Sequence, residues 1–176
     1  GFPDTTWIAM DTLSGSKAVL AYGTDSGSSQ MLTLEEDRVL SLGSVHSFVS
    51  NPVHELQVQG LKEERFALVF DDESEGKRRG TLILGERDSS DVISYSEKFF
   101  FDLEKPTGIS AIRLLPHELV ISYNGGWNDW HGYLVRTLVL KDTVKFIHRA
   151  MFNPEPALKS LSPLARFDGQ DFMVCY

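Results

Sequence analysis

The chain holds one cysteine, Cys175, in 176 residues, which excludes an internal disulfide and a structural zinc site built on several thiolates. It has no apolar stretch near the roughly 18 to 20 residues that cross a bilayer, so no membrane insertion is expected. Its first residues, Gly1-Phe2-Pro3-Asp4, carry neither the basic nor the apolar region of a signal peptide. Basic charge is also scarce. The 17 Lys and Arg face 25 Asp and Glu, a formal charge of -8, and a surface of that sign repels nucleic acid and anionic membranes. His46, His54, His117, His131 and His148 form no H-x-H or H-E-x-x-H arrangement, and G-x-S-x-G and phosphate-cradling glycine loops are missing. No metal, cofactor or catalytic residue is expected.

The one dense basic cluster, Lys77, Arg78 and Arg79, lies beside Asp71, Asp72, Glu73 and Glu75. A mixed run of this kind reads as a solvated loop. The four acids lack the spacing and closing glutamate of an EF-hand calcium loop.

What the chain does have is self-similarity. Four short apolar runs end in an aromatic: 18–22, 66–70, 119–123 and 172–176, with Tyr22, Phe70, Tyr123 and Tyr176 spaced by 48, 53 and 53 residues. Leu13, Leu61, Leu114 and Phe167 each stand nine residues before the matching aromatic, and Ile8, Leu56, Ile109 and Ser162 fourteen before it. Three registers that keep their offsets across four copies mark a repeat.

Each copy has the same grammar. A first strand (7–10, 56–58, 109–112, 161–164) leads through a short polar turn into the apolar run. A third strand follows around Leu32–Leu34, Leu82–Leu84 and Leu138–Leu140. Charged turns at 35–38, 85–91 and 141–142 then lead to a weaker fourth strand ending near Phe48, Phe101 and Phe152. The apolar runs are continuous, about five residues long and rich in β-branched and aromatic types, which fits strands buried on both faces better than helices. The expectation is an all-β fold of antiparallel four-stranded β-propeller-like blades, about three and a half repeats within a larger propeller. The whole of 1–176 forms one repeat region, with repeats near 5–52, 53–106 and 107–157 and a partial one at 158–176. A protein partner or further blades are expected to cap the open edge at Tyr176.

Across essentially the whole chain these repeats resemble β-propeller repeats in general. Where a WD-repeat blade carries Trp-Asp, the sequence reads Leu34-Glu35, Leu84-Gly85 and Leu140-Lys141. The third copy looks like a kelch blade in its double glycine, Gly125-Gly126, followed by Trp127; copies one and two have Gly23-Thr24 and Asp71-Asp72 there. The resemblance implies the fold and a general role in binding.

The candidate ligand site is the connection between the third copy's second and third strands: Asn124, Trp127, Asn128, Asp129, Trp130 and His131, interspersed with Gly125, Gly126 and Gly132. Indole faces stack on pyranose rings, Asp and Asn hold hydroxyls, and glycine admits close approach. The bland alternative is a loop that folds its tryptophans over a blade edge. The first strands, at 7–10, 56–58 and 109–112, lack Asp and Glu, which speaks against a paired-carboxylate glycosidase, with Asp11 and Glu55 at their ends. Three functions follow in order. The first is a non-catalytic binding or scaffold module for protein–protein interaction. The second is a carbohydrate-binding, lectin-like propeller using 124–132. The third is part of a propeller enzyme whose active site lies in other blades.

Overall fold

The computed structural model describes residues 7–23, 25–35, 39–62, 64–74, 76–126, 131–153, 163–168 and 171–174. Among them every regular element is a strand. The first sheet holds β1 (Trp7–Thr12), β2 (Lys17–Gly23), β3 (Gly27–Leu34), β4 (Leu40–Leu42) and β5 (His46–Val49). The second holds β6 (Val53–Gly60), β7 (Arg65–Ser74), β8 (Lys77–Arg87), β9 (Ile93–Tyr95) and β10 (Phe99–Asp102). The third holds β11 (Thr107–Leu115), β12 (Glu118–Asn124), β13 (Gly132–Val139) and β14 (Val144–Asn153), and a final pair is β15 (Leu164–Asp168) and β16 (Asp171–Val174). All pairings are antiparallel, and apart from β5 on β3 and β10 on β8 they join consecutive strands, as in a propeller blade.

Two of these sheets depart from a simple four-strand count. The fourth strand is split in the first and second sheets: β4 and β5 both pair with β3, and β9 and β10 both pair with β8. In the third sheet β14 is continuous but bulged. The charged turn expected at 85–91 shrinks to the segment after Arg87, because Gly85, Glu86 and Arg87 pair with Tyr95, Ser94 and Ile93. Asp88 Oδ1 accepts the amides of Ser90 and Val92 there, which closes the turn without needing longer polar sequence.

The sheets stack face to face, and β7 shows how. Phe66, Leu68 and Phe70 belong to one core with Val19, Ala21 and Met31 of the first sheet. Ala67 and Val69, on the opposite face, belong to another with Ile109, Leu119 and Ile121 of the third. A strand alternates its side chains, so a run buried on both faces must be apolar throughout. Aromatic contacts bind the same interfaces: Phe48 meets Phe70 at 5.4 Å between ring centroids, and Phe101 meets Tyr123 at 5.2 Å.

First strands of successive sheets are tied by side chains reaching across to backbone. Asp11 Oδ2 accepts Gly60 N at 2.7 Å, Glu55 Oε2 accepts Ile109 N at 2.8 Å, Gln59 Oε1 accepts Arg113 N at 2.9 Å, and Ser110 Oγ accepts Leu164 N at 3.1 Å. Asp11 and Glu55 therefore lie inside β1 and β6, whose bounds run past the segments read from sequence. Glu55 takes a positive φ of 52°, where β6 slips its register against β7.

Each complete sheet also places a glycine under an aromatic. A Cβ on Gly27, Gly80 or Gly132 would run into the ring of Phe48, Phe101 or Phe152 respectively. Gly27 and Gly132 begin their third strands and Gly80 is the fourth residue of β8, and in each case the aromatic near the end of the fourth strand packs against bare backbone.

Candidate functional site

The connections β2–β3, β7–β8 and β12–β13 share one end of the stacked sheets with the links that carry the chain from each sheet to the next. At this end lies a cleft of about 510 Å³ lined by Glu73, Gly76, Lys77, Arg78, Leu103, Glu104 and Lys105. One wall is the β7–β8 hairpin and the other is the link between β10 and β11.

The hairpin corrects the solvated loop expected at 71–80. Strand pairing continues to Ser74 opposite Lys77, leaving a two-residue turn that includes Gly76 at φ 69°. Asp71 and Asp72 are fully buried. Asp71 accepts from Arg78 Nη2, and Asp72 Oδ2 is 2.7 Å from Lys98 Nζ. Near the rim, His54 Nε2 lies 3.0 Å from Glu73 Oε2. Burial outweighs the Arg78 pairing and pushes the Asp71 carboxyl up to about 6. Burial also raises the Glu55 carboxyl, against the opposing amide of Ile109 and the charge of Arg78.

The link is held as firmly. Asp102 Oδ1 accepts Glu104 N at 2.7 Å, its Oδ2 takes Arg149 Nη2 at 3.1 Å, and Lys105 N donates to Arg78 O at 2.9 Å. Arg149 in turn lies over the Tyr133 ring at 4.1 Å. Tyr123, stacked on Tyr133 at 5.6 Å, is raised well above the ordinary phenol value by burial and by the charge of Asp102. The cleft thus presents Lys77, Lys105 and Arg78 beside Glu73 and Glu104 on walls fixed by buried ion pairs.

Of the sequence-predicted site residues, Trp127, Asn128, Asp129 and Trp130 lie outside the described residues. Asn124 closes β12 with its side chain buried, opposite Gly132 and Thr107. His131 is partly buried, and its carbonyl accepts Gly125 N at 2.9 Å, which closes the base of the connection. The glycines there serve contacts within the protein. A Cβ on Gly126 would strike the carbonyl of Glu104, and one on Gly125 would crowd the Tyr133 ring. The base of 124–132 is therefore seated on the link that lines the cleft, and the two features form one neighbourhood.

In the sequence Glu73, Lys77 and Arg78 read as part of a solvated loop, not as a site. Lys77 to Arg79 stand out as a cluster, but nothing local says that their acidic neighbours turn inward. Glu104 and Lys105 give no pattern at all, and Lys105 sits at a positive φ of 30° fixed by its contact with Arg78.

The fold is that of a β-propeller, with antiparallel blades arranged in sequence. No family model and no curated protein sequence matches the chain. Among solved structures it is similar to the NanB sialidase of Streptococcus pneumoniae. A point mutant of that enzyme aligns at a TM-score of 0.60 and 18% identity over 89% of this chain. The same sialidase in complex with a chlorobenzyl-ammonio-ethanesulfonate aligns at 0.59 and 20%, again over 89%. In both cases the chain spans 25% of the length of the sialidase chain.

Proposed function

We propose that the chain belongs to a carbohydrate-binding propeller and that the sugar is held where the 124–132 connection meets the cleft between the β7–β8 hairpin and the β10–β11 link. The carrying observation is the seating of Gly126 on Glu104, which joins a segment rich in Trp, Asp and Asn to a polar cleft with rigid walls. In this reading Trp127 and Trp130 offer stacking faces and Asp129 accepts from hydroxyls. Lys77, Lys105 and Glu104 bond the rest of the ligand. The likeness to sialidase blades supports a sugar as ligand over a purely scaffolding role. The reading is of binding without turnover: Asp71 and Glu55, the carboxyls with raised values, are engaged by Arg78 and by the Ile109 amide.

The test is a glycan array with the unmodified protein and with the Trp127→Ala, Trp130→Ala double variant, beside thermal unfolding of both. The expected result is loss of at least tenfold in glycan binding with an unchanged unfolding midpoint. Equal binding by the two proteins, or no glycan bound by either, would overturn the proposal.

A further inference from the structure

Asp102 holds a fixed place in the repeat. Strand register sets it opposite Gly80, where the first sheet sets Val49 opposite Gly27 and the third sets Asn153 opposite Gly132. In each sheet it is the residue after the aromatic that packs on the glycine. Valine serves at this place in the first sheet, so a blade needs no carboxylate there. Asp102 is nevertheless only 7% exposed. Taking a carboxylate out of water costs free energy that only good bonds to its oxygens offset. What those oxygens hold is therefore the reason for the residue, and both lead to the base of the 124–132 connection.

Oδ1 accepts the amide of Glu104 at 2.7 Å, and the Glu104 carbonyl is the group on which Gly126 rests. Oδ2 accepts Arg149 Nη2 at 3.1 Å, and the Arg149 guanidinium lies over the Tyr133 ring at 4.1 Å and the Tyr123 ring at 5.6 Å. Tyr133 is the ring against which Gly125 packs. Two consecutive glycines are thus supported from two different elements, Glu104 on the link after the second sheet and Tyr133 on β13 of the third. One carboxylate fixes both supports. Arg149 leaves half of its side chain in solvent and would be hydrated without Asp102, so the pair contributes less to stability than to the placing of the guanidinium.

We infer that Asp102 is a positioning residue for the ligand site: it holds the Glu104–Lys105 wall of the cleft and the Tyr133 ring in one arrangement, and so seats Gly125 and Gly126 against that wall. The ligand role rests on the sugar-binding reading, whereas the seat does not. A site held in its bound arrangement beforehand loses less freedom when the ligand arrives, so Asp102 raises affinity without touching the sugar.

The test uses Asp102→Val, which installs the first sheet's residue at this place, and Arg149→Lys, which keeps the charge beside Asp102 but removes the flat guanidinium. Amide hydrogen exchange of the full chain is followed by NMR at Lys105 and Gly125, whose N–H groups bond to Arg78 O and His131 O and not to Asp102, with Leu68 in the middle of β7 as the reference. Affinity for a glycan that the unmodified protein binds on an array is measured beside it. In Asp102→Val both amides should exchange about tenfold faster with Leu68 unchanged, and affinity should fall roughly tenfold. In Arg149→Lys only Gly125 should speed up. Unchanged exchange at Gly125 in both variants would overturn the inference. So would faster exchange that includes Leu68, which marks a general loss of stability, or altered exchange with full glycan affinity. Absence of any bound glycan in the unmodified protein sinks the sugar-binding reading instead and with it the ligand role, while the exchange rates still decide the seat.

Discussion

β7 and β14 are both apolar strands of ten residues, yet every residue from Phe66 to Asp72 is buried while Lys145 to Arg149 are all exposed. Hydrophobic content does not separate them, since β14 carries Val144, Phe146, Ile147, Ala150, Met151 and Phe152. Position does. β7 is the second strand of the middle sheet, covered on both faces, whereas β14 is the outer strand of the third. Burial in this architecture is therefore a property of place in the stack. A polar pair such as Asp71 and Asp72 is carried into the interior when its strand is central, and must then find cations.

The largest expected effect breaks that contrast directly. Phe70→Ala leaves a cavity between two sheets and should lower the unfolding free energy by about 3 to 5 kcal/mol, while Ile147→Ala on β14 should cost under about 1 kcal/mol. Denaturant unfolding of both variants checks this, and equal losses would deny the two-sided packing of β7.

Next in size is a pH effect. The Asp71 carboxyl sits at about 6 in the folded chain against an ordinary 3.8, so the folded state holds its proton more tightly than the unfolded state does. Stability from this group therefore falls as pH rises from about 4 to about 6, by up to about 3 kcal/mol. Glu64, Asp91 and Glu118 are lowered by their Arg, Lys or Ser partners, and they act in the opposite sense, losing their contribution as pH falls through the acid range. Unfolding across pH 4 to 7 should show a slope that Asp71→Asn removes.

A smaller effect probes the glycine beneath the ring. Gly80→Ala puts a methyl group into Phe101 and should cost about 1 to 3 kcal/mol, with the phenyl ring displaced in a structure of the variant. The smallest concerns the far end of the stack, where Lys17 of β2 reaches Asp91 at 2.7 Å and links the first two sheets. This pair is partly exposed, so Lys17→Ala should cost under about 1 kcal/mol, and the loss should shrink further in 1 M salt.

Much of the architecture was legible before the fold was seen. The runs ending in Tyr22, Phe70 and Tyr123 became β2, β7 and β12, because alternation and β-branched composition are local and strand-specific. The period carried the grouping into sheets. The site was only partly legible. Its Trp-rich segment stands out by composition, but the cleft beside it is assembled from Glu73 to Arg78 on one hairpin and Leu103 to Lys105 on a link. No short sequence window contains both walls.

The sequence by itself determined the strand order, the repeat and the residues able to lie between two sheets, since these depend on neighbours two to fifty positions apart in a fixed rhythm. Only the tertiary structure decided which polar groups turn inward and what they meet. The Asp71 to Arg78 pair, the Glu55 bond to the Ile109 amide, the split fourth strands and the glycines beneath Phe48, Phe101 and Phe152 depend on how the pleats of adjacent strands and sheets register in space. That register is set by packing, which sums contacts from the whole stack and leaves no mark on any single segment.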